Sequence, residues 1–101
     1  MITIEKIEKL ISEELTDANR THELFHSPHE AYAGILEEFE EMTRDVSAME
    51  SAMRGIWSCT KRGIEHEEIY EKLKKVAVYT VQETIQVAAM AEKAIQSLYN
   101  D

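Results

Sequence analysis

Between Pro28 and Gly63 there is no second proline, and a line of side chains recurs at alternating steps of three and four: Tyr32, Ile35, Phe39, Met42, Val46, Met49, Met53, Ile56 and Thr60. That alternation is the period of a helix face and excludes a strand. It runs through Gly55, so Gly55 is predicted inside the helix at a cost of about 1 kcal/mol against alanine. Ser27-Pro28-His29-Glu30 supplies an N-cap serine, a proline at the first helical position and a glutamate at the third, the pattern of a capping box. Lys61 and Arg62 suit a helix C-terminus, and Gly63 stops the helix there.

A helix this long constrains the rest. The first 22 residues carry Ile4, Ile7, Ile11, Leu15 and Ala18 at helical spacing, with Thr3 as N-cap, and predict a helix over about 3–22. A third helix is predicted to start near Ile64–Glu67, with the stripe Ile69, Leu73, Val76, Thr80, Glu83, Val87, Met90, Ala94 and Leu98. A second line, Val78, Val81, Ile85, Ala88 and Ile95, widens its apolar face, so this helix is predicted to be central. Asn100 and Asp101 read as a frayed end. The fold class is all-α: one domain over 1–101, a long antiparallel hairpin plus an N-terminal helix. A chain of 101 residues in that shape leaves apolar faces bare, so a homo-oligomer, dimer or tetramer, is expected to complete the bundle.

The net charge of −9, from 20 acidic and 11 basic side chains, argues against nucleic-acid binding and against an anionic membrane surface. No apolar run approaches a membrane span, no signal peptide is recognisable, and the single cysteine, Cys59, cannot form an internal disulfide. A reduced, cytoplasmic setting is expected.

Glu83 falls in the middle of an apolar stripe, and no Lys or Arg lies within a turn of it. An ionised carboxylate there must be paired, protonated or bound to a cation. If the chain folds back near Arg62-Gly63, Glu41 meets Glu83 and Glu38 meets Gln86, because the two pairs of numbers have the same total. Each pair is spaced i, i+3 and projects from one side of its helix. Three carboxylates and an amide oxygen at one level form a hard-oxygen set suited to Mg²⁺ or Mn²⁺. Glu38 and Glu41 are placed at the edge of the Ile35–Met42 stripe. Gly34, a turn before Glu38, is expected to make room for a ligand, and Asp45 to offer a fourth carboxylate. The competing reading is an acidic cluster that is protonated or solvated.

Glu37-Glu38-x-x-Glu41 followed by Glu83-x-x-Gln86 resembles the EExxE…ExxD signature of MazG-like nucleoside triphosphate pyrophosphohydrolases. SPHEAYAGILEE (27–38) and ETIQVAAMA (83–91) are similar to the corresponding segments of small, often phage-encoded members. The resemblance covers about 25–41 and 82–95. It implies an Mg²⁺-dependent hydrolase acting on phosphorus anhydrides, which converts a nucleoside triphosphate to the monophosphate and pyrophosphate in nucleotide-pool housekeeping. Glu38, Glu41, Glu83 and Gln86 would then hold the metal, and Glu37 or Glu38 would orient the attacking water. Two departures stand out: Gln86 replaces the Asp of the signature, and the stretch between Glu41 and Glu83 is longer than in typical members. The alternative is a non-catalytic MazG-like protein that binds nucleotide or a protein partner; a third reading is a structural bundle without ligand.

Candidate substrate contacts are His29 and Tyr32, which with Phe25 offer a surface to stack a base, and Lys75, with Lys74, Arg44 and Arg54 as further phosphate candidates. His22, His26 and His29 lack a further ligand for zinc. Trp57 is expected in the core or a subunit interface, and Met42, Met49, Met53 and Met90 in the core.

Overall fold

A computed structural model of the protein describes residues 1–21 and 23–99; His22, Asn100 and Asp101, and hence the expected frayed end, lie outside them. The chain forms α1 (Ile4–Thr21), α2 (Pro28–Arg62) and α3 (Glu67–Leu98), with no strand among the described residues. Four of the boundaries have a local cause. Thr3 Oγ1 accepts the backbone N–H of Lys6 at 3.2 Å and caps α1. Ser27 is extended (φ −155°, ψ 159°), and its Oγ accepts from the Glu30 N–H at 3.1 Å, ahead of Pro28 at the start of α2. The serine half of the expected capping box is therefore present.

At the other end of α2, Gly63 takes φ 66°, a conformation that favours glycine. Its N–H donates to Thr60 O, and the Ile64 N–H donates to Cys59 O at 3.0 Å, the paired bonds of a Schellman stop. His66 precedes α3 without a side-chain cap, and the Glu65 carboxylate accepts the Glu67 N–H instead at 2.7 Å. Gly55 lies within α2, as expected.

α3 is central: α1 and α2 both pack on it and not on each other. α2 runs antiparallel to α3. α1 runs parallel to α3, since Leu10 shares a cavity wall with Gln82 and Thr21 shares one with Lys93. α1 therefore covers only the C-terminal half of α3. Beyond it, α2 and α3 continue as a bare two-helix hairpin, and the molecule is 61 Å long but only 28 by 20 Å across.

The face α2 turns to α3 is not the apolar stripe read from the sequence. The line buried or half-buried against α3 runs Ala31, Gly34, Glu38, Glu41, Asp45, Ala48, Ala52, Gly55–Ile56 and Cys59, one step round the helix. The stripe itself divides: Ile35, Met42, Met49 and Ile56 flank the contact, whereas Tyr32, Phe39, Val46 and Met53 are solvent-facing. Small residues let the two backbones approach, which is why an apolar stripe is not needed at the centre. Trp57, 60% exposed, is not core in the single chain; Lys61 Nζ lies 5.4 Å from its ring centre. Met53 likewise departs from the core set. On α3 the predicted stripe is half-buried throughout, but Val78, Val81 and Ile95 of the second line are exposed.

Phe25 closes the α1–α2 connection. Its N–H donates to Ser97 Oγ at 3.0 Å, and its ring is buried against α2 and α3. A Cβ at Gly34 would stand 3.0 Å from Met90 Cε and 3.4 Å from Phe25 Cε1. Gly34 therefore admits Phe25 and Met90, not a ligand, which corrects the expectation from its place beside Glu38.

Candidate metal centre

The fold-back brings Glu38 and Glu41 of α2 opposite Glu83 of α3. One carboxylate oxygen from each lies within 4.8 Å of the other two. The register expected from residue numbers is the register observed. These residues sit on the central line of the helix contact rather than at its edge, so the packing that forms the hairpin also forms the triad.

The triad is electrostatically incomplete. Glu38 Oε2 and Glu83 Oε2 are buried without a hydrogen-bond partner, and no Lys or Arg forms an ion pair with either among the described residues. Burial is the largest cause that pushes the Glu83 pKa up to about 7, followed by the hydrogen bonds and charges of Glu41 and Glu38. Glu38 is also raised, first by burial, with the charges of Glu41, Glu37 and Glu14 adding to it and a hydrogen bond from Glu83 opposing it. With no cation present, a proton on Glu83 is what reduces the repulsion. A divalent ion removes the same repulsion and engages the oxygens that lack partners. An octahedral Mg²⁺ shell measures about 4 Å between opposite oxygens, so modest rotations of these side chains suffice to close on an ion, and the donor set fits a hard cation.

Gln86 lies one turn on from Glu83 and lines two adjoining cavities, the second of which it shares with Glu83. One, of about 370 Å³, is walled by Glu38, Gln86, Ala89 and Met90 together with Glu14, Asp17, Ala18 and Thr21 of α1. The other is walled by Glu83, Gln86 and Gln82 with Leu10, Glu13, Glu14 and Asp17. Glu14 and Asp17 were not singled out from the sequence. The signal was there for Glu14: Ile4, Ile7, Ile11, Glu14 and Ala18 alternate three and four, with a carboxylate inside the stripe as at Glu83.

Other candidates lie elsewhere. Glu37 is exposed on the far side of its turn and contributes to the site only through its charge. Asp45 is half-buried but does not join the triad. His29, Tyr32 and Lys75 are exposed and line neither cavity, and Arg44, Arg54 and Lys74 are surface residues. Nε2 of His26 lies 3.0 Å from Glu23 Oε2, a hydrogen bond that, with the charge of Glu30, raises the histidine's pKa. Among the described residues the histidines join no metal-ligating cluster. No helix among the described residues is long and apolar enough to cross a membrane. Compared with known protein families, with curated proteins and with solved structures, the chain matches none of them.

Proposed function

We propose that the chain is a metal-dependent nucleoside triphosphate pyrophosphohydrolase of the MazG-like, all-α kind, active as a homo-oligomer. The observation that carries this reading is the pair of buried, unpartnered carboxylate oxygens on Glu38 and Glu83, facing each other with Glu41 across two helices. The motif resemblance points to the same residues. Glu38, Glu41 and Glu83 hold Mg²⁺ or Mn²⁺, and the carbonyl oxygen of Gln86 completes the set. When bound, such an ion neutralises phosphate charge and lowers the pKa of a coordinated water. Glu38, which borders the cavity, would orient the attacking water. Glu37 lies outside this cavity and adds negative field. With a net charge of −9, the protein needs the cation for a triphosphate to approach at all.

The oligomer has its own support. The chain exposes 7680 Å², whereas a compact monomer of 11.6 kDa exposes about 5,800 Å². Its radius of gyration is 17.5 Å against about 13 Å for a compact chain of this length. The excess area is of the order one partner buries in an obligate homodimer. Tyr32, Phe39, Val46 and Met53 stand one heptad apart on the outer face of α2 and form the seam for a second copy.

The test is pyrophosphate release from a panel of nucleoside triphosphates with Mg²⁺ or Mn²⁺, and with EDTA. Metal-dependent release that Glu83→Gln abolishes is expected. Absence of both release and metal binding in folded protein overturns the reading. Gln86, neutral where the signature has an acid, favours one alternative, a non-catalytic nucleotide-binding protein; metal-dependent binding without turnover, with turnover appearing in Gln86→Asp, would establish it.

A further inference from the structure

Among the described residues Lys93 is the one buried charged side chain, 3% exposed near the C-terminal end of α3. Among the described residues it has no ion pair and no side-chain hydrogen bond. Its Nζ lies 4.8 Å from the centre of the Phe25 ring and is not one of the buried polar atoms left without a partner, so the stem is buried while the ammonium opens onto the adjoining cavity. Packing accounts for the buried stem but not for the choice of a charged tip.

Its position does. Glu83, Gln86, Met90 and Lys93 are spaced i, i+3, i+7 and i+10 and share one face of α3. Lys93 lines a cavity with Phe25, His26, Glu23 and Glu30, whose remaining walls are Ala18, Thr21 and Met90. Those last three also wall the cavity of Glu38 and Gln86. The two cavities therefore adjoin along α3 and α1, one lined by Glu38 of the triad and the other by Lys93. Glu83 and Lys93, at the two ends, are about 15 Å apart along the helix axis. A lysine side chain leans towards the N-terminus of its helix and shortens that distance. His26 engages one of the two acids at this end, Glu23, at 3.0 Å.

We propose that Lys93 is the cationic ligand for the phosphate chain of a substrate whose metal-bound phosphate sits at Glu38, Glu41 and Glu83. The ligand class is a polyphosphate: an ion at the triad takes one phosphate, and Lys93 takes charge further along the chain. This rests on the triad as the metal site, so the test separates the two. Mn²⁺ is first titrated alone into the parent, Lys93→Met and Glu83→Gln. Inorganic triphosphate is then titrated into each Mn²⁺-loaded protein by calorimetry. The expected result is unchanged Mn²⁺ affinity in Lys93→Met and a loss of about tenfold or more in triphosphate affinity, as for a charged hydrogen bond, with binding retained in Lys93→Arg. Glu83→Gln loses Mn²⁺ itself. Parent-like triphosphate binding in Lys93→Met, or no triphosphate binding by the Mn²⁺-loaded parent, overturns the role of Lys93 and leaves the metal site standing. Failure of the parent to bind Mn²⁺ overturns both. If Lys93→Met does not fold, the ε-methylene resonance of Lys93 in the Mg²⁺-loaded parent decides: it shifts on triphosphate addition, or the proposal fails.

Discussion

The two ends of this molecule use the same helices for opposite purposes. At the end covered by α1, the α2–α3 contact encloses three glutamates, a glutamine and a lysine, and its apolar residues are mostly small. At the far end, α2 buries Ala52 and Ile56 and sets Gly55 against Ile69 of α3, yet Val46, Met53, Trp57 and Val78 stay in solvent. A chain selected only for the stability of a single copy would do the reverse. Polar groups are buried where two helices can hold them in register and a third can wall the approach. Apolar surface is left on the bare hairpin and along the outer face of α2 at both ends, which is where a second copy has something to cover.

The comparison breaks most sharply at Ile56. It is among the few large apolar side chains buried in the single chain, and it sits in the uncovered hairpin. Ile56→Ala is expected to lower the unfolding free energy by about 2–4 kcal/mol in urea denaturation. A change below about 1 kcal/mol would mean that the far hairpin contributes little packing in solution. Met53→Glu comes next. Met53 is 54% exposed, so the substitution costs a lone chain little. If the outer face of α2 is the seam, it puts like charges opposite each other, and the sedimentation mass falls to that of one chain. An unchanged mass, whether of monomer or oligomer, would remove the far end from the interface.

At the covered end the sign reverses. Glu83→Gln removes a carboxylate whose Oε2 is buried without a partner. Metal-free protein is therefore expected to gain about 1 kcal/mol at pH 8, and the rise in melting temperature on adding Mg²⁺ is lost. A substitution that stabilises the apo form and abolishes the response to metal is what separates a ligand from a packing residue. The pH dependence follows from the same group. Its pKa rises from 4.5 to about 7 on folding, so between those values the folded chain binds more protons than the unfolded one. Stability of the metal-free protein then falls as pH rises through that window and levels above it. His26, also raised, acts in the same direction and is unaffected by the substitution. Thermal melts from pH 4.5 to 8 in EDTA should show a downward slope that is shallower in Glu83→Gln; a slope of equal steepness would remove Glu83 from the account.

Much of this was legible in the sequence, for reasons tied to particular residues. Thr3, Ser27-Pro28 and Gly63 mark helix ends because capping is local chemistry. The meeting of Glu38 and Glu41 with Glu83 follows from helix rise and one fold-back point. The inward face of α2 was not legible. Periodicity finds the most apolar line, but the line against α3 consists of alanine, glycine and acids, chosen for close approach and for the site. Lys93 was hidden for a related reason: a lysine between Glu92 and Ala94 reads as solvated until Phe25, from the distant connection, is laid over it.

The smallest effect contrasts two glycines on that inward line. Each costs its helix about 1 kcal/mol against alanine, and each faces α3. At the far end, a Cβ on Gly55 would meet Ile69 Cδ1 at 3.4 Å, the edge of ordinary contact. Gly55→Ala is therefore expected to stabilise by about 0.5–1 kcal/mol. At the covered end, a Cβ on Gly34 would stand 3.0 Å from Met90 Cε, and only the flexible end of that methionine can yield. The helix gain is then spent on moving Met90, with Phe25 Cε1 close behind it at 3.4 Å, and Gly34→Ala nets near zero. Met90 walls both the Glu38 cavity and the Lys93 cavity, so the displaced methyl intrudes where they adjoin. Urea denaturation of the two variants side by side measures the difference. Equal gains at both positions would show that the covered end is packed no more tightly than the open one, and would undo the contrast at its most local point.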